Sequence, residues 1–199
     1  MKLPPNSRVI LGIDPGLATT GWGVIEEALS GPRLLSYGAI ETPAGQPLPE
    51  RLLKIQTELS LLIHAYQPTV LAIEELFFTK FAVSIAATAQ ARGAILLTAA
   101  QNRIPLVEYN PRTVKTAMTG FGSASKEQMQ SMVQRFFRLK EIPRPDDAAD
   151  ALAIALCHAQ TNQALVGAGL VPARNSIRSN EIRSGWSRGP AQGRPLQKI

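Results

Sequence analysis

The chain has 199 residues, 45% of them hydrophobic and 18% charged, with a net charge of +6. That length fits one packed domain with chain to spare. The single cysteine, Cys157, excludes an intramolecular disulfide and any cysteine-rich zinc site, in keeping with a reducing cytosol. The N-terminal MKLPPNSR has no apolar stretch for a signal peptide, and the longest apolar runs are interrupted by polar or charged residues, so neither export nor a membrane span is expected.

The charge is uneven. Residues 1–160 contribute +1, whereas residues 161–199 carry six Lys and Arg against Glu181 alone, for +5. This last segment is rich in Gly, Pro, Ser, Asn and Arg and has little to bury. It reads as a disordered basic tail, 161–199, behind a domain at 1–160. A basic tail suits a polyanionic partner, although a solvated tail needs none.

In chain order, RVILGI (8–13) is an apolar, β-branched strand that runs into the turn Asp14-Pro15-Gly16. GWGVIEE (21–27) reads as the returning strand and RLLSYGAIET (33–42) as a third, the three forming an antiparallel meander. Pro49-Glu50 opens a helix whose Leu52, Ile55, Leu59, Leu62 and Ile63 keep helical spacing, ending at Pro68. VLAIE (70–74) is a buried-type strand. The alanine-rich segment 82–102, with Gly93 inside it, reads as a long helix in close packing. PLVEY (105–109) is the fifth strand, and a short helix starts at Pro111. Ser125 and Gln128 make a capping-box pattern for SKEQMQSMVQRFFRL. The last helix begins near Pro145 and holds RPDDAADALAIALCHA, with Cys157 as a packed thiol. The order β-β-β-α-β-α-β-α-α-α predicts an α/β fold. Its mixed five-stranded sheet has three antiparallel strands, then parallel ones, with helices on its faces.

Asp14 and Glu74 close the first and fourth strands, and strand ends are where α/β sheets collect ligands. Asp146, Asp147 and Asp150 crowd the mouth of the last helix, where the dipole favours negative charge. Singly, each acid has an ordinary role in a turn, a cap or a solvated surface. Together they are a cluster of like charge that a hard divalent cation would neutralise. Two such ions ~4 Å apart suit phosphoryl chemistry. Asp147 and Asp150 share a helix face at i, i+3, and Asp146 and Asp150 at i, i+4, so spacing leaves open which of the first two acids faces the metal. No Ser–His–Asp or Cys–His set stands out, and His64 and His158 read as structural.

ILGIDPGLATTGWGVI, AIEELFF, AQARGAI, EYNPRTVKTAMTGFGSASKEQM and DDAADALAIALCHA stand in the order and spacing of the RuvC family of bacterial Holliday-junction resolvases. The resemblance covers about residues 8–160. It implies a ribonuclease-H-like fold with helices on both faces of the sheet. It also implies a homodimeric, Mg²⁺-dependent endodeoxyribonuclease that cuts four-way junctions by paired symmetric nicks, leaving 5′-phosphate and 3′-hydroxyl ends.

On this resemblance the site is Asp14, Glu74, Asp147 and Asp150, holding two Mg²⁺ ions for which Mn²⁺ could substitute, with Asp146 left as an extra, capping acid. Lys115 and Lys126 match basic positions near the phosphates, Phe77 matches an aromatic set against bases at the junction centre, and Lys80 and Arg112 are further phosphate contacts. A RuvA–RuvB branch-migration complex is the implied partner and the bacterial cytoplasm, at the nucleoid, the implied location. Two departures stand beside the site. Phe81 replaces a polar residue, commonly Asn, and Glu75 replaces Gln or Lys, adding negative charge next to Glu74. Both bear on sequence preference in cutting and on metal preference.

Other readings lead elsewhere. GIDPGLATTG also resembles the phosphate-binding turn of the actin and heat-shock ATPase superfamily, but this chain is short for that two-lobed fold and gives the DDAAD helix no role there. A junction-binding protein that does not cut would be favoured by a missing acid, and all four are present. An RNA nuclease of the same fold would not need the LFF and basic motifs.

Overall fold

The computed structural model describes residues 8–28, 30–76 and 82–167, with side chains from 85 to 161 in the last segment. The elements are β1 (Arg8–Asp14), β2 (Thr19–Ala28), β3 (Gly31–Glu41), α1 (Leu48–Tyr66), β4 (Val70–Glu74), α2 (Ala82–Gln101), β5 (Leu106–Tyr109), α3 (Pro111–Thr119), α4 (Lys126–Phe136) and α5 (Asp146–Gly167). This is the predicted order. The sheet runs β3-β2-β1-β4-β5. β1 and β3 each pair antiparallel with β2, and β1–β4 and β4–β5 are parallel, as alternation with helices requires.

Strand alternation sorts the core into two layers. Val9, Leu11, Ile13, Leu71 and Ile73 point to one face, where Ile55, Leu59 and Ile63 of α1 and Ala91, Ile95 and Ala99 of α2 cover them. Ile10, Ile25 and Ala72 point to the other, under Val114 and Met118 of α3, Met129 and Val133 of α4, and the Leu152–Cys157 stretch of α5. Helices therefore lie on both faces. Asp14 and Glu74 share the parity of Ile10 and Ala72, so both carboxylates belong to the α3–α5 face.

Two glycines let α5 lie directly on the sheet. A Cβ at Gly12 would stand 2.2 Å from the Ala151 carbonyl oxygen, and one at Gly21 would stand 2.0 Å from that of Asp147. Gly21 is the ladder partner of Asp14. The close approach thus brings the first turn of α5 to the end of β1.

Two expectations need adjustment. Gly93 is not a close-packing glycine, because a Cβ there would meet nothing within 4 Å; α2 packs through Ala91, Ile95 and Ala99 instead. The fourth helix stops at Phe136 rather than at Leu139. Arg138 turns to a φ of 52°, and Phe137 folds inward against the core, edge to face with Phe136. The capping box of α4 is present, with Ser125 accepting from the Gln128 N–H and Gln128 accepting from the Ser125 N–H.

Candidate active site

Parallel pairing of β1 with β4 ends at Ile13 and Ile73, so Asp14 and Glu74 stand side by side at the strand ends. With Asp150 they line one cleft of about 230 Å³, closed by Pro111, Val114 and Lys115 of α3, Lys126 and Met129 of α4, and Ala153 and Ile154 of α5. Asp147, over Gly21, acts on Asp14 electrostatically. Burial, and then repulsion from Glu74, Asp150 and Asp147, push the Asp14 carboxyl from 3.8 up to about 8. Burial followed by Asp150 also raises Glu74, against the pull of Lys115 and Arg92. Asp150 is raised, by burial first, while Lys126 opposes the shift.

The two lysines face this cleft. Lys126, set at the start of α4 by the capping box, brings its Nζ to 3.3 Å from Asp150 Oδ2 and 3.7 Å from Asp146 Oδ2. The partners found for Asp146 are therefore cations, Lys126 and Arg144 beside it, and not the amides of α5 that a capping acid would meet. Arg112 is exposed, with its stem against Gly122, and is not among the residues that line the acidic cleft. Glu75 is exposed, its N–H continues the ladder to the Tyr109 carbonyl, and its carboxylate receives the Asn110 amide at 3.4 Å. Phe77, Lys80 and Phe81 lie outside the described residues.

His158 Nδ1 sits 2.8 Å from the Tyr109 hydroxyl, and His64 Nδ1 bonds the Ser60 carbonyl one turn back, both structural contacts. Burial pushes the Cys157 thiol up to about 11, which leaves it an inert packed group. Sequence reading overlooked Arg92. It is 7% exposed, donates to the Glu74 carbonyl oxygen, and pairs with Glu108 at 2.7 Å. Its signal was an arginine among alanines on a helix otherwise fit for burial.

An all-oxygen donor set whose members raise one another's pKa suits a hard divalent cation. Among the described residues no group of three or more acid, histidine or cysteine side chains forms a ready-made metal cage, and the cation that meets Asp150 is the Lys126 ammonium. Also among the described residues, no helix is long and apolar enough to cross a membrane.

The family model for crossover junction endodeoxyribonuclease RuvC matches residues 10–158. A protein of that name from Endomicrobium trichonymphae is 61% identical over 155 residues, covering 77% of this chain and 81% of its own; one from Chloroflexus aggregans is 54% identical over 151 residues, covering 76% and 92%. The Thermus thermophilus RuvC structure in complex with Holliday junction substrate superposes with a TM-score of 0.74 at 37% identity, covering 79% of this chain and 96% of that one. A yeast mitochondrial Holliday junction resolvase, at 15% identity and a TM-score of 0.62, shares the fold. With the strand-end acids, the glycine-seated helix and these similarities together, the chain belongs to the crossover junction endodeoxyribonuclease RuvC family.

Proposed function

We propose that this chain resolves four-way DNA junctions by paired, symmetric hydrolysis of phosphodiesters, with Asp14, Glu74, Asp147 and Asp150 as its catalytic carboxylates. Nucleases of this family are metal-dependent. Here the four acids would hold two Mg²⁺ ions, with Mn²⁺ as a substitute. Bound metal would supply a water of lowered pKa and positive charge for the departing 3′-oxygen. The rest falls to the chain. Lys115 and Lys126 at the cleft rim attract the scissile phosphate. A phosphate drawing the Lys126 ammonium away from Asp150 frees that carboxylate. Asp14, Glu74 and Asp150 orient the attacking water through their oxygens. The observation that carries this reading is the convergence of Asp14, Glu74 and Asp150 on one cleft with two lysines at its edge.

Paired cutting calls for two active sites and hence a homodimer. Support comes from α2, whose Ala86, Gln90, Gly93, Leu97 and Ala100 are exposed at alternating spacings of four and three, a face suited to a second helix. Phe77 against bases at the junction centre, Lys80 and Arg112 on phosphates, the 161–199 segment as a nonspecific DNA anchor, cooperation with a RuvA–RuvB motor, and action at the bacterial nucleoid complete the proposal.

The test is cleavage of an end-labelled mobile four-way junction in Mg²⁺ or Mn²⁺, beside linear duplex, single strand and RNA duplex. Symmetric nicks on the junction alone are expected. An Asp147→Asn variant should bind the junction and lose ~10²–10³-fold in rate, as removal of a group stabilising the transition state does. Junction binding without cutting in either metal would refute the nuclease reading.

A further inference from the structure

The parallel β1–β4 ladder ends at Ile13 and Ile73, just short of Glu74. If it continued, the Glu74 carbonyl would accept from the amide of residue 15, which is a proline and has none. That oxygen is served from the opposite face of the sheet. Arg92, on α2, donates one guanidinium N–H to it and turns a second nitrogen to Glu108 Oε1 at 2.7 Å. On the other edge of β4, the Glu75 N–H bonds the Tyr109 carbonyl at 2.8 Å. The peptide carrying Glu74 is therefore fixed from both sides, and its carboxylate points into the cleft.

An arginine with its side chain 9% exposed is costly to bury, and a packing role alone would be met as well by an apolar side chain. The fork geometry of arginine serves a carbonyl and a carboxylate at once, which lysine cannot do. We propose that Arg92 is a positioning residue for the active site: its clamp on the last β4 peptide sets the direction in which the Glu74 carboxylate meets a divalent cation. This rests on the reading of the four acids as a metal site.

The experiment is titration of the full-length protein with Mn²⁺, without DNA, by calorimetry, together with the metal dependence of junction cleavage. Arg92→Met should weaken Mn²⁺ binding at least tenfold and raise the half-saturating metal concentration for cleavage equally, with the maximal rate largely recovered at saturation and junction affinity within twofold of the parent. Arg92→Lys should regain part of the metal affinity, and Glu108→Gln, which leaves the clamp on Glu74, should lose less than threefold. Should Arg92→Met fail to fold, Arg92→Lys and Glu108→Gln still decide the matter, since equal metal affinities in both and the parent would overturn the proposal. So would a folded Arg92→Met protein with the parental affinity. A parent that binds no Mn²⁺ and cuts nothing would instead sink the metal-site reading, and this inference with it.

Discussion

Asp14 shows how much a single carboxyl can report. Folded and without metal, it keeps its proton up to about pH 8, while in the unfolded chain it releases it near 3.8. The folded state binds more protons between those values, so Asp14 contributes stability that is full below pH ~4 and lost as pH rises through ~8. Glu74 and Asp150 are raised too and act in the same sense. Metal-free protein should therefore lose denaturation midpoint from pH 4 to 8, offset in part near pH 6.5 by His158, whose folded pKa burial lowers so that it acts in the opposite sense. Asp14→Asn should flatten that slope and raise the midpoint at pH 8; on the proposed metal-site reading, Mg²⁺ should stabilise the parent there and not the variant. Thermal melts at four pH values, with and without Mg²⁺, check both statements; a parent whose stability climbs across this range would contradict them. At this scale the sequence yielded the identities of the acids but not their surroundings. Lys126 was legible as a basic position, yet its contact with Asp150 required α4 and α5 to be packed together. Glu75 stood next to Glu74 in the chain and nonetheless turned to Asn110, because neighbours on a strand face opposite ways.

For the elements, α5 and the strands beneath it form the working unit. Its alanine-rich face and the glycines under it allow a helix backbone to touch a sheet backbone, and that contact delivers Asp147 to Asp14. Gly21→Ala would drive a methyl into the Asp147 carbonyl, and Gly12→Ala into that of Ala151. Each should cost ~1–3 kcal/mol by overpacking, read from urea denaturation. Gly21→Ala should in addition lower cleavage out of proportion to its stability loss, since it displaces Asp147, one of the proposed catalytic carboxylates. Equal loss of activity in the two variants at equal stability would count against this. The order of elements and their approximate ends were legible because hydrophobic period, proline and capping signals act over a few residues. The end of α4 was misjudged by three residues, as the inward turn of Phe137 is decided by the core it meets. Gly93 misled for the complementary reason: a glycine in a helix looks the same whether it faces a neighbour or open space.

For the molecule as a whole, two properties follow from surfaces rather than from the cleft. The exposed stripe on α2 predicts that Leu97→Glu yields a monomer by sedimentation velocity and converts paired cutting of a cruciform plasmid into single nicks. A monomeric variant that still linearises the plasmid in one binding event would refute that. Deleting residues 168–199 removes six Lys and Arg and Glu181. It should weaken junction binding while leaving junction preference intact, and should reduce the slope of log affinity against log salt. Binding measured by anisotropy between ~50 and ~200 mM salt tests this.

The sequence by itself determined the class of fold, the strand and helix order, the two strand-end acids and the acidic helix mouth. These are written in local patterns of polarity and backbone preference, which need no partner to be read. Only the tertiary structure decided that Asp14 and Glu74 share a face with α5, that glycines at 12 and 21 seat that helix, that Lys126 reaches Asp150, and that Arg92 grips the Glu74 peptide from behind. Each of these depends on the meeting of residues far apart in the chain, and periodicity encodes which face an element will bury without saying what will cover it.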